Sequence, residues 1–183
     1  MLLDAARSQF LLVDMQERLV PAMHEADALL DRCAILLQSA AEVGVPGTVS
    51  EQYRKGLGAT VARLDALRGD ATVIEKMHFS SAADPSQSGR VVALAAQGRR
   101  QLVIAGIESH VCVLQSALGF KEMGLEVFVV ADAVSSRKPD SIKLAQNRLR
   151  QSGVSIVNAE MVLFEWLQIS GTPQFKAVSK LIK

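Results

Sequence analysis

Short apolar runs alternate along this chain with longer stretches in which apolar residues recur every three or four positions. The first run, Gln9-Phe10-Leu11-Leu12-Val13, is stopped by Asp14. After Pro21, the residues Ala28, Leu29, Ile35, Leu36 and Ala40 recur at helical spacing until Gly44. Val45-Pro46-Gly47-Thr48-Val49 predicts a weaker second strand, because Pro46 removes a backbone donor near its start. Residues 59–67 read as a short helix, and Thr72-Val73-Ile74-Glu75-Lys76 as the third strand. A helix over 89–97 leads to the fourth strand, Gln101-Leu102-Val103-Ile104-Ala105. Helix over 110–123, strand over 126–131 and helix over 139–151 follow, the last opening on Pro139, which suits a first helical turn. A short strand at 154–157 and an apolar helix at 160–168 complete the pattern.

Six successive β-α units predict an α/β fold: a three-layer sandwich with a six-stranded, mostly parallel, Rossmann-like sheet and helices on both faces. Crossovers are expected to be right-handed, with the site in loops at the carboxyl ends of the strands. No internal repeat, low-complexity tract or linker divides the chain, so residues 1–183 are read as one domain. The tail 174–183 carries basic residues between apolar ones and reads as a docked terminal helix, with a partner site as the alternative.

Composition narrows the class. Hydrophobic residues make up 49% and charged residues 21%, which fits a globular rather than a disordered chain. The formal net charge of +1 argues against nucleic acid as the main partner, because phosphate binding needs a clustered positive surface. The apolar runs fall far short of the ~20 residues that span a bilayer, so no membrane partner is expected. No basic leader precedes an apolar stretch, and the only cysteines, Cys33 and Cys112, are far apart. A reducing compartment, and hence a cytoplasmic location, is the expectation.

Strand ends are where chemistry is expected, and three polar residues stand there. Asp14 ends the first strand, Lys76 ends the third, and Cys112 lies just beyond the fourth. A thiol in the first turn of a helix feels unpaired amides and the positive end of the dipole, which favour the thiolate. The same amides suit an oxyanion on an attacked carbonyl. The competing reading is a small buried core residue, where free cysteines commonly reside. Cys33, on the apolar face of the first long helix, is read as core. Asp14 suits a proton acceptor and donor, or a cap on the amides of Gln16 or Glu17. Lys76 suits a fixed charge favouring thiolate and carboxylate, or a solvated strand-end lysine.

Together these residues resemble the isochorismatase-like cysteine hydrolases over nearly the whole chain. The matching segments are Leu-Leu-Val-Asp14-Met-Gln, Ile-Glu-Lys76-Met-His-Phe-Ser and Gly106-Ile-Glu-Ser-His-Val-Cys112-Val. Residues 51–58, 132–137 and 173–176 look like the small isochorismatase-domain proteins of unsettled substrate. The resemblance implies that Cys112 attacks a carbonyl or amidine-like carbon, that Asp14 moves the protons, and that Lys76 holds the charges. It also implies a cis peptide at Ile107–Glu108 that turns amides near Glu108 and Cys112 toward an oxyanion.

The departures from the family are informative. Nicotinamidases of this superfamily bind a metal through an Asp and two His after the second strand, where this chain has Glu51, Gln52 and Tyr53. Neither a metal nor any other cofactor is therefore expected. Of the three histidines, His78 and His110 flank the proposed site and either support it or simply face water. Tyr53, Arg54 and Phe79 are the candidate contacts to a small-molecule substrate, Arg54 through a carboxylate, with an exposed loop arginine as the alternative.

The leading reading is a cysteine hydrolase of a small amide, imide or related carbonyl compound. One alternative is a catalytically idle binding or scaffold protein, against which the intact Asp14, Lys76 and Cys112 argue. The other is an acid-catalysed vinyl-ether hydrolase in which Asp14 protonates the substrate and Cys112 stands by. The resemblance also implies a homo-oligomer. The apolar stretch 161–167 is richer than a solvated helix needs, so it belongs either to a subunit interface or to the core.

Overall fold

In the computed structural model, which describes residues 1–182, the six apolar runs become six strands. They are β1 (Ser8–Val13), β2 (Gly47–Gln52), β3 (Thr72–Lys76), β4 (Gln101–Ile107), β5 (Glu126–Ser135) and β6 (Ser155–Val157). Eight helices connect and follow them: α1 (Ala26–Glu42), α2 (Arg54–Leu57), α3 (Ala62–Asp65), α4 (Pro85–Ala96), α5 (Leu114–Glu122), α6 (Pro139–Gln151), α7 (Ala159–Leu167) and α8 (Pro173–Val178).

The strands pair in the order β3-β2-β1-β4-β5-β6, and every pairing is parallel. Parallel strands need crossovers, and crossovers cover both faces, which is why β1 is apolar at every central position. Its side chains nevertheless alternate: Phe10 and Leu12 join the core under α1, α3, α7 and α8, while Leu11 and Val13 join the core under α4, α5 and α6. The first core includes Leu29, Cys33 and Leu36 of α1 with Trp166 of α7; the second includes Val91, Phe120 and Leu149. These are the three expected layers.

Sequence order along the sheet reverses between β1 and β4. Connections from these neighbours leave toward opposite sides, the arrangement that in open α/β sheets favours a site at the strands' carboxyl ends. Asp14 and the segment carrying Cys112 emerge there.

Several boundaries differ from the sequence reading. The fifth strand continues to Ser135, its register against β4 shifting between Ile104 and Gly106. Its polar interruption is accommodated because the Asp132 carboxylate accepts the Ala159 amide at 2.8 Å. The helix expected over 59–67 shrinks to the single turn α3. The segment around Cys112 opens as a π-helical turn, Ser109–Val113, before α5 begins. In the apolar stretch of α7, Val162, Leu163 and Trp166 are buried, as the core reading expects, while Met161 and Phe164 are half exposed. In the tail, α8 docks against α1 and α7 with Val178 buried, whereas Lys183 lies outside the described residues. No described helix is long and apolar enough to cross a membrane.

Candidate active site

The site depends first on how closely β4 approaches β1. Gly106 has φ +113°, and a Cβ there would fall onto the carbonyl of Val13. Only glycine combines that backbone with that contact. The chain then turns through Ile107–Glu108, whose peptide bond is cis. The Glu108 carbonyl accepts the amides of Val111 and Val113, at 3.0 and 3.2 Å, which folds the π-turn back over the end of β4. Ser109 Oγ ties the turn to the Ser135 carbonyl at 3.0 Å.

Asp14 leaves β1 with φ 51°, a conformation that Asp tolerates better than most residues. Its carboxylate is wholly buried. Oδ1 accepts the Ser50 hydroxyl at 2.6 Å, and Oδ2 accepts Lys76 Nζ at 2.8 Å. The capping alternative does not occur: the amides of Gln16 and Glu17 go to the carbonyls of Asp14 and Ala59. Lys76 is not a solvated strand-end lysine either, being only 2% exposed. Its ammonium donates to Asp14, to Gln52 Oε1 at 2.8 Å and to the Phe79 carbonyl at 3.3 Å. Three donors meet three acceptors, so no ammonium N–H is left over for a substrate.

Cys112 lies buried beside this pair, near enough that Asp14, Lys76 and the Glu108 backbone all act on its thiol. Burial pushes the thiol up to about 12, the Asp14 charge adds to this, and Lys76 and the Glu108 amide oppose it. The thiolate expected from a helix N-terminus is thus corrected: burial and a neighbouring carboxylate outweigh amides and dipole, and the resting group is the thiol. Burial likewise raises Asp14 above the usual carboxylate range, against the pull of Lys76, Ser50 and the thiol. The result is a buried thiol and a buried carboxyl group beside an ammonium. Cys33 is fully buried in the core, as expected, 3.6 Å from the Ala133 carbonyl.

The remaining sequence candidates surround this centre unevenly. Tyr53 immediately precedes α2 with φ 38°, its amide bonded to the Lys76 carbonyl and its ring, 44% exposed, beside Gly56. The Phe79 ring is 56% exposed although its carbonyl holds Lys76. Arg54 Nη1 sits 3.3 Å from Glu51 Oε2, and Glu51 Oε1 accepts both the amide and the hydroxyl of Thr60. His78 is exposed, 3.4 Å from Asp84, and His110 Nδ1 lies 2.9 Å from Ser136 Oγ. The Glu108 carboxylate pairs with Arg137 at 3.1 Å.

Three residues escaped the sequence reading. Ser50 fills the second oxygen of Asp14, and Gln52 orients Lys76 while its Nε2 donates to the Met77 carbonyl at 2.8 Å. Gln16 in turn holds the Gln52 backbone, accepting its amide at 2.7 Å and donating to its carbonyl at 3.0 Å. A signal existed: Ser50 and Gln52 are polar residues near a strand's carboxyl end, the same criterion that singled out Asp14.

The fold and this cluster define an α/β protein of the isochorismatase type, and the chain belongs to that family: residues 8–161 match the Isochorismatase domain. Isochorismatase domain-containing protein 1 of Danio rerio is 40% identical over 181 residues, covering 99% of this chain and 62% of that protein. The chain therefore spans under two thirds of that relative's length. Among solved structures, the MAR1 ribonuclease of Caenorhabditis elegans is similar with TM-score 0.91 and 31% identity, covering 100% of this chain and 92% of that one. The ycaC gene product of Escherichia coli, described as an octameric hydrolase of unknown specificity, has TM-score 0.91 and 26% identity, covering 99% and 90%.

Proposed function

We propose that this protein is a cysteine hydrolase of a small amide, imide or related carbonyl compound, with Cys112 as nucleophile. The observation that carries this reading is the fully buried Asp14–Lys76 pair at 2.8 Å, whose charges both act on the buried Cys112 thiol. A thiol pushed up to about 12 is a poor nucleophile unless a base removes its proton as it attacks. In this reading Asp14 is that base. Sulfur bonds to the carbonyl carbon while the thiol proton passes to Asp14. Amides near Glu108 and Cys112 receive the oxyanion. Asp14 then gives its proton to the leaving nitrogen, and the C–N bond breaks to leave a thioester. Water attacks the thioester, delivering a proton to Asp14; the C–S bond breaks and sulfur takes that proton back. Lys76, with all three donors engaged, keeps Asp14 in register without touching substrate.

Tyr53 and Phe79 present exposed aromatic surface for the substrate body. Arg54 already pairs with Glu51, so a substrate carboxylate would have to share or replace that partner. Residues 1–183 act as one domain, and both free cysteines suit the reducing cytoplasm. The protein forms a homo-oligomer, a reading supported by the octameric relative and by the half-exposed Met161 and Phe164 of α7.

A small-amide screen with acid quench and peptide mass spectrometry tests the mechanism. The expected result is an acyl adduct on Cys112 and no turnover in Cys112→Ala. Turnover that survives Cys112→Ala would overturn it and favour a second reading, for which the raised Asp14 speaks. In that reading Asp14 protonates a vinyl ether as a general acid.

A further inference from the structure

At the opposite edge of the sheet, beneath the amino ends of β1 to β4, lies a cavity of about 360 Å³. Its apolar wall comes from Phe10, Leu37, Ala40, Val45 and Leu94. The same cavity is lined by three half-buried arginines, Arg68, Arg90 and Arg99, with Asp70 as the lining acid. Arg68 is paired to Asp65 at 2.6 Å, so the cations of the lining without a carboxylate partner are Arg90 and Arg99.

Two of these arginines lack a counterion. Among the described residues, no carboxylate lies within 4.0 Å of Arg90 or Arg99. They are held by neutral groups instead. Arg99 Nη1 donates to the carbonyls of Ala5 and Ser8 at 3.0 and 2.9 Å, and Arg90 Nε donates to Thr48 Oγ1 at 3.1 Å. Arg68 is anchored by the Ala71 carbonyl at 3.0 Å and by Asp65 at 2.6 Å. Removing charges from water without a partner is unfavourable, and an anion in the cavity would relieve it. Each guanidinium has five N–H donors, so these anchors leave donors free while fixing the planes. Such prior ordering lowers the entropic cost of binding.

We propose that this cavity binds a small phosphate monoester with a compact apolar body. The two unpaired guanidiniums, Arg90 and Arg99, match a dianion, their forks match phosphate oxygens, and the apolar lining matches the body. The volume falls in the range of small-molecule pockets, about 300–1,000 Å³. The site is separate from Cys112, which stands at the carboxyl edge.

Amide NMR titration with phenyl phosphate tests the proposal. Saturable shifts are expected at Gly44, Gly47 and Ala71, with binding weakened about tenfold or more in Arg90→Gln, since a charge-assisted hydrogen bond is lost. Asp70 is exposed and Asp70→Asn leaves the fold intact, so it carries the test should Arg90→Gln misfold. It is expected to bind phenyl phosphate more tightly. No saturable shift at those amides, or affinity unmoved by Asp70→Asn, would overturn the proposal. Inorganic phosphate, lacking the apolar body, is expected to bind more weakly; equal affinity would refute the role of the apolar wall.

Discussion

Lys76 Nζ lies 2.8 Å from Asp14 Oδ2, with both side chains inaccessible to solvent and the two residues 62 positions apart in the sequence. Each charge is tolerable in the interior only because of the other. Deleting one partner leaves an uncompensated buried charge, which costs far more than the pair itself contributes.

Lys76→Met is accordingly expected to destabilise the protein by about 3–5 kcal/mol at neutral pH. The double variant Lys76→Met/Asp14→Asn should recover part of that loss. Urea unfolding followed by the fluorescence of Trp166, whose indole N–H donates to Ser8 Oγ at 2.9 Å in the core, measures both. Additive losses would contradict the pairing argument.

Gln52 is the next prediction, since it is the acceptor that orients the ammonium. Gln52→Met keeps the volume but leaves one Lys76 donor unpaired, at a cost of about 1–3 kcal/mol. Arg18→Ala, which removes an exposed hydrogen bond to the Gly56 carbonyl, should cost under about 0.5 kcal/mol in the same assay.

Gly106→Ala is expected to be severe, because the new Cβ meets the Val13 carbonyl at a backbone angle unsuited to alanine. A loss of at least ~3 kcal/mol, or failure to fold, is expected. Gly89→Ala, in the middle of α4 with nothing within 4 Å of its Cβ, should instead be neutral or stabilising. Thermal unfolding of the two variants side by side checks the contrast.

The titrations of Cys112 and Asp14 have a defined sign. Both groups are raised in the folded state, so it holds their protons more tightly than the unfolded chain does. Their stabilising contribution is complete below the unfolded values and is lost as pH rises through the folded ones. For Cys112 that window runs from 9.0 to about 12. Stability should fall across it, and less steeply in Cys112→Ala. Asp14→Asn removes a charge that raises the thiol, so the ultraviolet thiolate signal of Cys112 should appear at lower pH in that variant. An unchanged or higher midpoint would remove Asp14 from the vicinity of the thiol.

Met161→Glu/Phe164→Glu tests the oligomer. Both side chains are half exposed, Phe164 beside the Phe175 ring of α8, so the monomer fold should survive while light scattering reports a smaller assembly. An unaltered mass would place the interface elsewhere.

The one-dimensional pattern determined the layers. A continuous apolar run such as Phe10–Val13 requires cover on both faces, and helical spacing in the intervening segments supplies that cover. Strand ends then nominated Asp14, Lys76 and Cys112 without any knowledge of distance, because side chains at that edge leave the hydrogen-bonded ladder for solvent or substrate. The protonation state was a different matter. It depends on how much water and which charges surround a thiol, so local helix amides suggested a thiolate where burial beside Asp14 holds a thiol. Ser50, Gln52 and Gln16 acquired meaning only when β1, β2 and β3 were laid side by side, and Arg90 and Arg99 only when the amino ends of the strands enclosed a cavity. Periodicity is a property of neighbours along the chain, whereas desolvation and pairing are properties of neighbours in space.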